Sequence, residues 1–280
     1  MLKTSFLLTV ALLAAPAHAD CTLIADAAAK RIVKEEGACD TRITPASTFK
    51  IAISLMGYDA GFLESEHEPV LKYRQGDPLW NDAWRADTDP QKWIHDSVVW
   101  YSQRVTAALG APRFQQYATA FGIGNADVSG DPKKHDGIKW AWIDSSLQVS
   151  PREELGFLER LVRRELPVRA IAYEMTGRIT RLDGEHGGWA THGKTGAGFP
   201  VLAGGRTDHV HGYGWFVGWA TKGDRTFVFV RQTQDAEAHD RPAGLRARDA
   251  FLPGLPALLD SLRPALSAAS PDASGRRAGT

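Results

Sequence analysis

Apolar residues along this chain fall into successive patterns, and the changes between them mark its organisation. Lys3 is followed by an apolar run, Phe6 to Ala15, interrupted only by Thr9, that closes on Ala17-His18-Ala19. The run is shorter than the roughly 20 residues needed to cross a bilayer. Its charged start, apolar middle and small-residue end are those of an export signal, with cleavage expected after Ala19. No later segment is long and apolar enough to anchor the mature chain. A lipid anchor on Cys21 is the alternative, but Asp20 lacks the small side chain such a signal needs. Export places the mature chain in the periplasm.

Two short runs come next, Thr22-Leu23-Ile24-Ala25-Asp26 and Ile32-Val33-Lys34-Glu35-Glu36. They read as a β-hairpin whose outer ends meet. From Ile51 to Met56 the chain is apolar at nearly every position, which is the signature of a helix buried on all sides. Helical spacing returns in Trp93 to Leu109, with Ile94, Val98, Val99, Val105 and Leu109 on its inner face. It recurs in Pro151 to Leu166, where Leu155, Leu158, Leu161 and Val162 line up. Near Gly193 the period changes, and Gly212 to Ala220 and Arg225 to Val230 read as two strands about a Lys222-Gly223-Asp224 turn. Gly214 and Gly218 alternate with Trp215, Val217 and Trp219, leaving one sheet face nearly bare for a close-packed neighbour. A C-terminal helix from Leu245 to Leu252, interrupted at Pro253 and resuming at Leu255 to Leu262, is the expected occupant.

The pattern predicts an α+β fold: an antiparallel sheet built from both chain ends, flanked by helices, with a mainly helical lobe inserted between. Residues 1–19 are the signal and 20–263 a single domain. Its sheet lobe covers about 20–62 and 170–263 and its helical lobe about 63–169. Residues 264–280, rich in Pro, Ala, Ser, Gly and Arg, read as a disordered tail. No internal repeat is visible.

Composition narrows the reading. With 280 residues, 43% of them hydrophobic, and a formal net charge of zero, the chain is an ordinary globular protein. Neutrality argues against a nucleic-acid partner. The two cysteines, Cys21 and Cys39, flank the predicted hairpin in an exported chain. They favour a disulfide, with two buried free thiols as the alternative. His209 and His211 sit among Gly, Arg, Thr and Asp, as solvated loop histidines would, so no metal is expected. Most of the nine tryptophans read as core and cleft packing. Asp144, with nothing to pair it, reads as a structural hydrogen bonder.

The chemistry concentrates in Ser47-Thr48-Phe49-Lys50. Residues three apart on a helix share a face, so the Lys50 amine can act as base toward the Ser47 hydroxyl. Pro45 suits the first helical turn and leaves Ser47 near the N-terminus, where free backbone N–H groups can hold an oxyanion. Apolar surroundings disfavour the lysine's charged form. Two further segments extend the site. Ser97-Val98-Val99 lies on the predicted Trp93–Leu109 helix and adds a second hydroxyl, while Lys194-Thr195-Gly196 opens a predicted edge strand and adds a cation and a hydroxyl for an anionic substrate. Serine β-lactamases and penicillin-binding proteins carry such a set as S-x-x-K, S-D-N and K-T-G.

From about Cys21 to Leu262 the chain resembles the class D β-lactamases, the oxacillinases. The likeness is densest in Pro45 to Ala52, Ser97-Val98-Val99-Trp100-Tyr101, Trp142 to Leu147 and His192 to Gly196. It implies Ser47 as the acylated nucleophile and Lys50 as a lysine carboxylated by CO₂, with no other cofactor. It implies Ser97 as proton shuttle, Val99 as part of a dry lid and Trp142 as indole donor to the carbamate. The backbone N–H groups of Ser47 and Ala197 would form the oxyanion hole. Lys194, Thr195, Gly196 and Arg248 would bind a small β-lactam, although Arg246 competes with Arg248 for the carboxylate. One departure stands out: the family commonly has Tyr-Gly-Asn where this chain has Ile123-Gly124-Asn125. Loss of a phenol from the cleft wall would alter substrate preference and weaken inhibition by halide. A non-hydrolysing β-lactam sensor and a penicillin-binding transpeptidase are the alternatives, and monomer and homodimer stay open.

Overall fold

A computed structural model describes residues 20–262, except 203 and 204; the expected export signal and tail lie outside the described residues. Five strands form one sheet: β1 (Cys21–Asp26), β2 (Arg31–Gly37), β3 (Ala190–Gly198), β4 (Tyr213–Lys222) and β5 (Arg225–Gln234). Their order is β2-β1-β5-β4-β3, and every neighbouring pair is antiparallel. The first and last thirds of the chain therefore meet at β1 and β5, with Leu23 opposite Val230. Nine helices are described: α1 (Lys50–Ala60), α2 (Pro90–His95), α3 (Val99–Leu109), α4 (Ala111–Phe121), α5 (Gly137–Asp144), α6 (Pro151–Val162), α7 (Ala170–Ile179), α8 (Ala243–Phe251) and α9 (Leu255–Ser261).

The strands are covered on both faces, which explains their nearly continuous apolar runs. Leu23, Trp215, Val217, Trp219, Val228 and Val230 join the main core with α1, α3 and α6. Ile24, Phe216, Phe227 and Phe229 turn the other way and form a smaller core with Leu255 and Leu259 of α9. The bare face of β4 has two causes. A Cβ on Gly214 would lie 2.4 Å from the Ala243 carbonyl carbon, so α8 rests there as expected. A Cβ on Gly218 would lie 2.0 Å from the His192 carbonyl oxygen, so that glycine admits strand β3 instead of a helix.

Three expectations need correction. The helix expected over Trp93–Leu109 is two helices, α2 and α3, broken at Asp96-Ser97-Val98. The one expected over Pro151–Leu166 ends at Val162; it starts cleanly because Ser150 and Glu153 form a reciprocal cap and Pro151 follows. Although α6 was assigned to the helical lobe, its apolar face packs on β1 and β5. Cys21 and Cys39 form a disulfide, their Cα atoms 5.2 Å apart, which ties the start of β1 to the loop after β2.

Candidate active site

Ser47 sits not on a regular α-helix but on a 3₁₀ turn, Ala46–Phe49, that runs directly into α1. In a 3₁₀ turn residues three apart eclipse one another, and the Lys50 Nζ lies 2.8 Å from the Ser47 Oγ, donating to it. Ala46 enters the turn at φ 50°, an unfavourable region for a side chain. Thr48 Oγ1 donates to the Pro45 carbonyl at 2.8 Å and closes the turn. Downstream, α1 is buried at every residue from Lys50 to Tyr58. Lys50 is fully buried, and its pKa falls well below the ordinary lysine range, first because burial penalises the ammonium and then because Lys194 is nearby.

Lys194, Thr195, Gly196 and Ala197 lie in the middle and second half of β3, the free edge of the sheet. The strand is pressed against the serine turn: a Cβ on Gly196 would fall 2.7 Å from the Pro45 carbonyl oxygen and 3.2 Å from the Ser47 nitrogen. From the other side α8 closes in, since a Cβ on Gly244 would lie 2.1 Å from the Gly196 carbonyl oxygen. Glycine at both positions lets turn, strand and helix approach to backbone contact. Lys194 is buried, with its pKa lowered to about 7 by desolvation and then by the Arg248 charge. Arg248 lines the same cavity and bonds its neighbour Asp249 at 2.8 Å. Arg246 is spent elsewhere, on the Asp235 carboxylate and the Arg241 carbonyl. Of the two arginines, Arg248 is the one that lines the cavity.

Ser97 connects α2 to α3 at φ 60°. This left-handed residue leaves the helical stripe that the pattern predicted and turns toward the cavity. A cavity of about 1330 Å³ brings together Ser47, Ser97, Lys194, Thr195, Ala197 and Arg248. Hydroxyls, a buried amine whose charged form is disfavoured, and the basic side chains of Lys194 and Arg248 gather here, which suits nucleophilic attack on a carbonyl of an anionic molecule.

Other expected residues stand behind the wall. Val99 and Ile123 are buried in the main core and do not line the cavity; burial agrees with Val99 as part of a dry lid and corrects the placement of Ile123 on the cleft wall. In the case of Ile123, the chain leaves α4 through Gly122 in a left-handed conformation and tucks the isoleucine inward. Trp142 is fully buried, packs 6.0 Å from the Phe49 ring, and its Nε1 has no hydrogen-bond partner among the described residues. Asp144, expected as a structural hydrogen bonder, is instead exposed at the cavity wall. His211 pairs with Asp208, and His209 meets the Phe199 ring edge-on at 5.0 Å. Among the described residues no group of three His, Cys, Asp or Glu is placed to hold a metal. Sequence reasoning missed the cavity rim, where Trp80, 62% exposed, lies 5.7 Å from Trp84 and 6.3 Å from Trp140. Three tryptophans near Asp and Asn in the lobe were the available signal.

Residues 19–253 match the transpeptidase family, the penicillin binding protein transpeptidase domain. The chain is 40% identical to β-lactamase OXA-9 of Klebsiella pneumoniae over 240 residues, covering 85% of this chain and 88% of that one. The chain belongs to the class D β-lactamases. OXA-1 of Escherichia coli is 35% identical over 213 residues, which cover 75% of this chain and 74% of its own. The crystal structure of OXA-427, a class D β-lactamase, superposes with a TM-score of 0.82 at 45% identity, spanning 87% of this chain and all of the other. The fold and family expected from the motifs are therefore established for this β-lactamase, and no helix among the described residues is long and apolar enough to cross a membrane.

Proposed function

We propose that this class D β-lactamase hydrolyses penicillins of the oxacillin type through an acyl-enzyme on Ser47, with carboxylated Lys50 as the base for both halves of the reaction. The observation that carries the reading is the fully buried Lys50 amine 2.8 Å from the Ser47 hydroxyl. Burial and the Lys194 charge both favour the neutral amine, and only a neutral amine adds CO₂. The residues present suit that group, since the unpartnered, buried indole N–H of Trp142 packs beside the Ser47–Lys50 turn and is available to an anion. Carboxylation supplies an anionic base where the free amine would be a weak one.

Lys50 takes the Ser47 proton as Oγ attacks the lactam carbonyl, and the ring C–N bond breaks. Ser97 relays that proton, receiving it from Lys50 as it gives its own to the departing nitrogen, so that Lys50 is again free to act as base. Backbone N–H groups of Ser47 and Ala197 stabilise the oxyanion, an interaction worth about 10²–10³ in rate per donor in comparable sites. Lys194, Thr195 and Arg248 hold the substrate carboxylate. A water deprotonated at Lys50 then releases the acyl group and restores Ser47. The reaction takes place in the periplasm after removal of residues 1–19, where the Cys21–Cys39 disulfide is stable.

Mixing the enzyme with excess benzylpenicillin tests this. Acylation should give a burst followed by steady turnover until the substrate is gone. A burst that stalls, with penicillin permanently on Ser47, would instead make the chain a sensor or a transpeptidase.

A further inference from the structure

Ser97 occupies an unusual position, and the structure shows what keeps it there. A serine at φ 60° sits in a region that costs an L-residue on the order of 1–2 kcal/mol, and neither Asp96 nor Val98 beside it is a glycine or proline that would impose the break. Part of the restraint is local, since the Val98 N–H donates to the Trp93 carbonyl at 3.1 Å and ends α2 through a left-handed residue; a second restraint comes from outside the helix pair. The indole Nε1 of Trp84 donates to the Asp96 carbonyl at 2.9 Å, and that carbonyl belongs to the peptide joining Asp96 to Ser97. Fixing the oxygen fixes the plane of that peptide and with it the direction of the Ser97 side chain. In return, the indole Nε1 of Trp100 donates to the Trp84 carbonyl at 3.0 Å. The two indole–carbonyl bonds bracket residues 97–99, one on each side.

Trp84 is itself held. It is 5% exposed, lies in a short 3₁₀ turn, Asp82–Arg85, capped by Asn81, and packs against Trp80 at the rim with the two rings tilted by 44°. The Asp96 carboxylate is engaged separately, by Lys92 and by His95 Nδ1 at 2.7 Å; it has no proton to donate and does not substitute for the indole on the carbonyl.

We propose that Trp84 is a positioning residue for Ser97, acting through the Asp96 carbonyl. The proposal rests on the reading of Ser97 as proton shuttle given above. Trp84→Phe keeps an aromatic ring in the packing and removes only the donor. Net loss of one buried hydrogen bond corresponds to about a tenfold change. The rate constant of penicillin acylation, measured in a single turnover, should therefore fall about tenfold, while the dissociation constant of the non-covalent complex is unchanged.

A merely structural tryptophan would slow the enzyme whatever stands at position 97, so the deciding readout is a double-mutant cycle. In a Ser97→Ala background, Trp84→Phe should change acylation by less than about twofold. Equal losses in both backgrounds, or a Trp84→Phe enzyme that acylates at the parental rate, overturn the proposal alone. A Ser97→Ala enzyme that acylates at the parental rate overturns the role of Ser97 and the proposal with it. Should Trp84→Phe fail to fold, Trp100→Phe opens the other bond of the bracket. A loss of acylation rate that vanishes in the Ser97→Ala background supports the proposal, and a loss that persists overturns it.

Discussion

The backbone contact between β3 and the serine turn makes a single methyl group a sharp probe. In Gly196→Ala the new Cβ would lie 2.7 Å from the Pro45 carbonyl oxygen, 3.1 Å from Thr48 Cγ2 and 3.2 Å from the Ser47 nitrogen. Ordinary carbon–oxygen contacts begin near 3.3 Å, so turn and strand must separate by about 0.6 Å. That motion carries Ser47 away from Lys194, Thr195 and Ala197 together. A misplacement of about 1 Å costs on the order of 100-fold, so the acylation rate should fall about 10- to 100-fold, or about 1.4–2.7 kcal/mol of barrier. Stopped-flow acylation with benzylpenicillin measures it, alongside a thermal melt to confirm that the variant is folded. Gly156→Ala is the control, because its Cβ meets nothing within 4 Å on α6; it should acylate normally and gain about 0.5–1 kcal/mol of stability. A folded Gly196→Ala enzyme that acylates within about twofold of the parent would refute the reasoning.

Further outcomes follow from the same geometry. Gly244→Ala places a Cβ 2.1 Å from the Gly196 carbonyl oxygen, so α8 must retreat with Arg248; steady-state kinetics should show a raised KM for substrates that carry a carboxylate, and an unchanged KM would count against Arg248 as anchor. Replacing Cys21 and Cys39 by serine opens a loop of 18 residues and should cost about 3 kcal/mol in denaturant unfolding, with activity retained at 25 °C. Ile123 is 1% exposed, so Ile123→Tyr should lower stability by about 1–3 kcal/mol through overpacking; normal stability together with a changed substrate profile would return position 123 to the cleft wall. Lys194 has a folded-state pKa of about 7, below its unfolded value. Between the two the unfolded chain binds the extra proton, and stability from this group rises with pH. In bicarbonate-free buffer Lys194→Met should therefore melt above the parent below pH 7 and lose that advantage as pH rises toward about 10. A pH-independent difference would refute the shift.

Much of this was legible in the sequence because local chemistry and tertiary structure agree. The strands β1, β4 and β5 announce themselves by β-branched and aromatic runs bounded by turn residues, and Ser47, Lys50 and Lys194 lie in motifs that the fold brings together. Arg248 was ambiguous because the two arginines on α8 differ only in partners, Asp235 for one and the cavity for the other. Ser97 was recognised, but its conformation was not. The helical stripe from Trp93 to Leu109 has no glycine or proline at the break, and the restraint is shared between the Val98 N–H bond to the Trp93 carbonyl and the indole of Trp84, distant in sequence. The family motif puts position 123 on the cleft wall, whereas depth within a wall depends on how the chain leaves α4, which periodicity does not encode. Trp80 is not singled out among the core and cleft tryptophans because an aromatic packed at a rim has the same composition as one that is buried.

The central claim is that burial keeps the Lys50 amine uncharged and so lets it capture CO₂. Carbon-13 NMR of the enzyme equilibrated with labelled bicarbonate tests it most directly. The account predicts a carbamate signal that is lost in Lys50→Ala and in acid, and whose intensity tracks penicillin turnover as bicarbonate is added. Full, bicarbonate-independent turnover with no carbamate signal would contradict it.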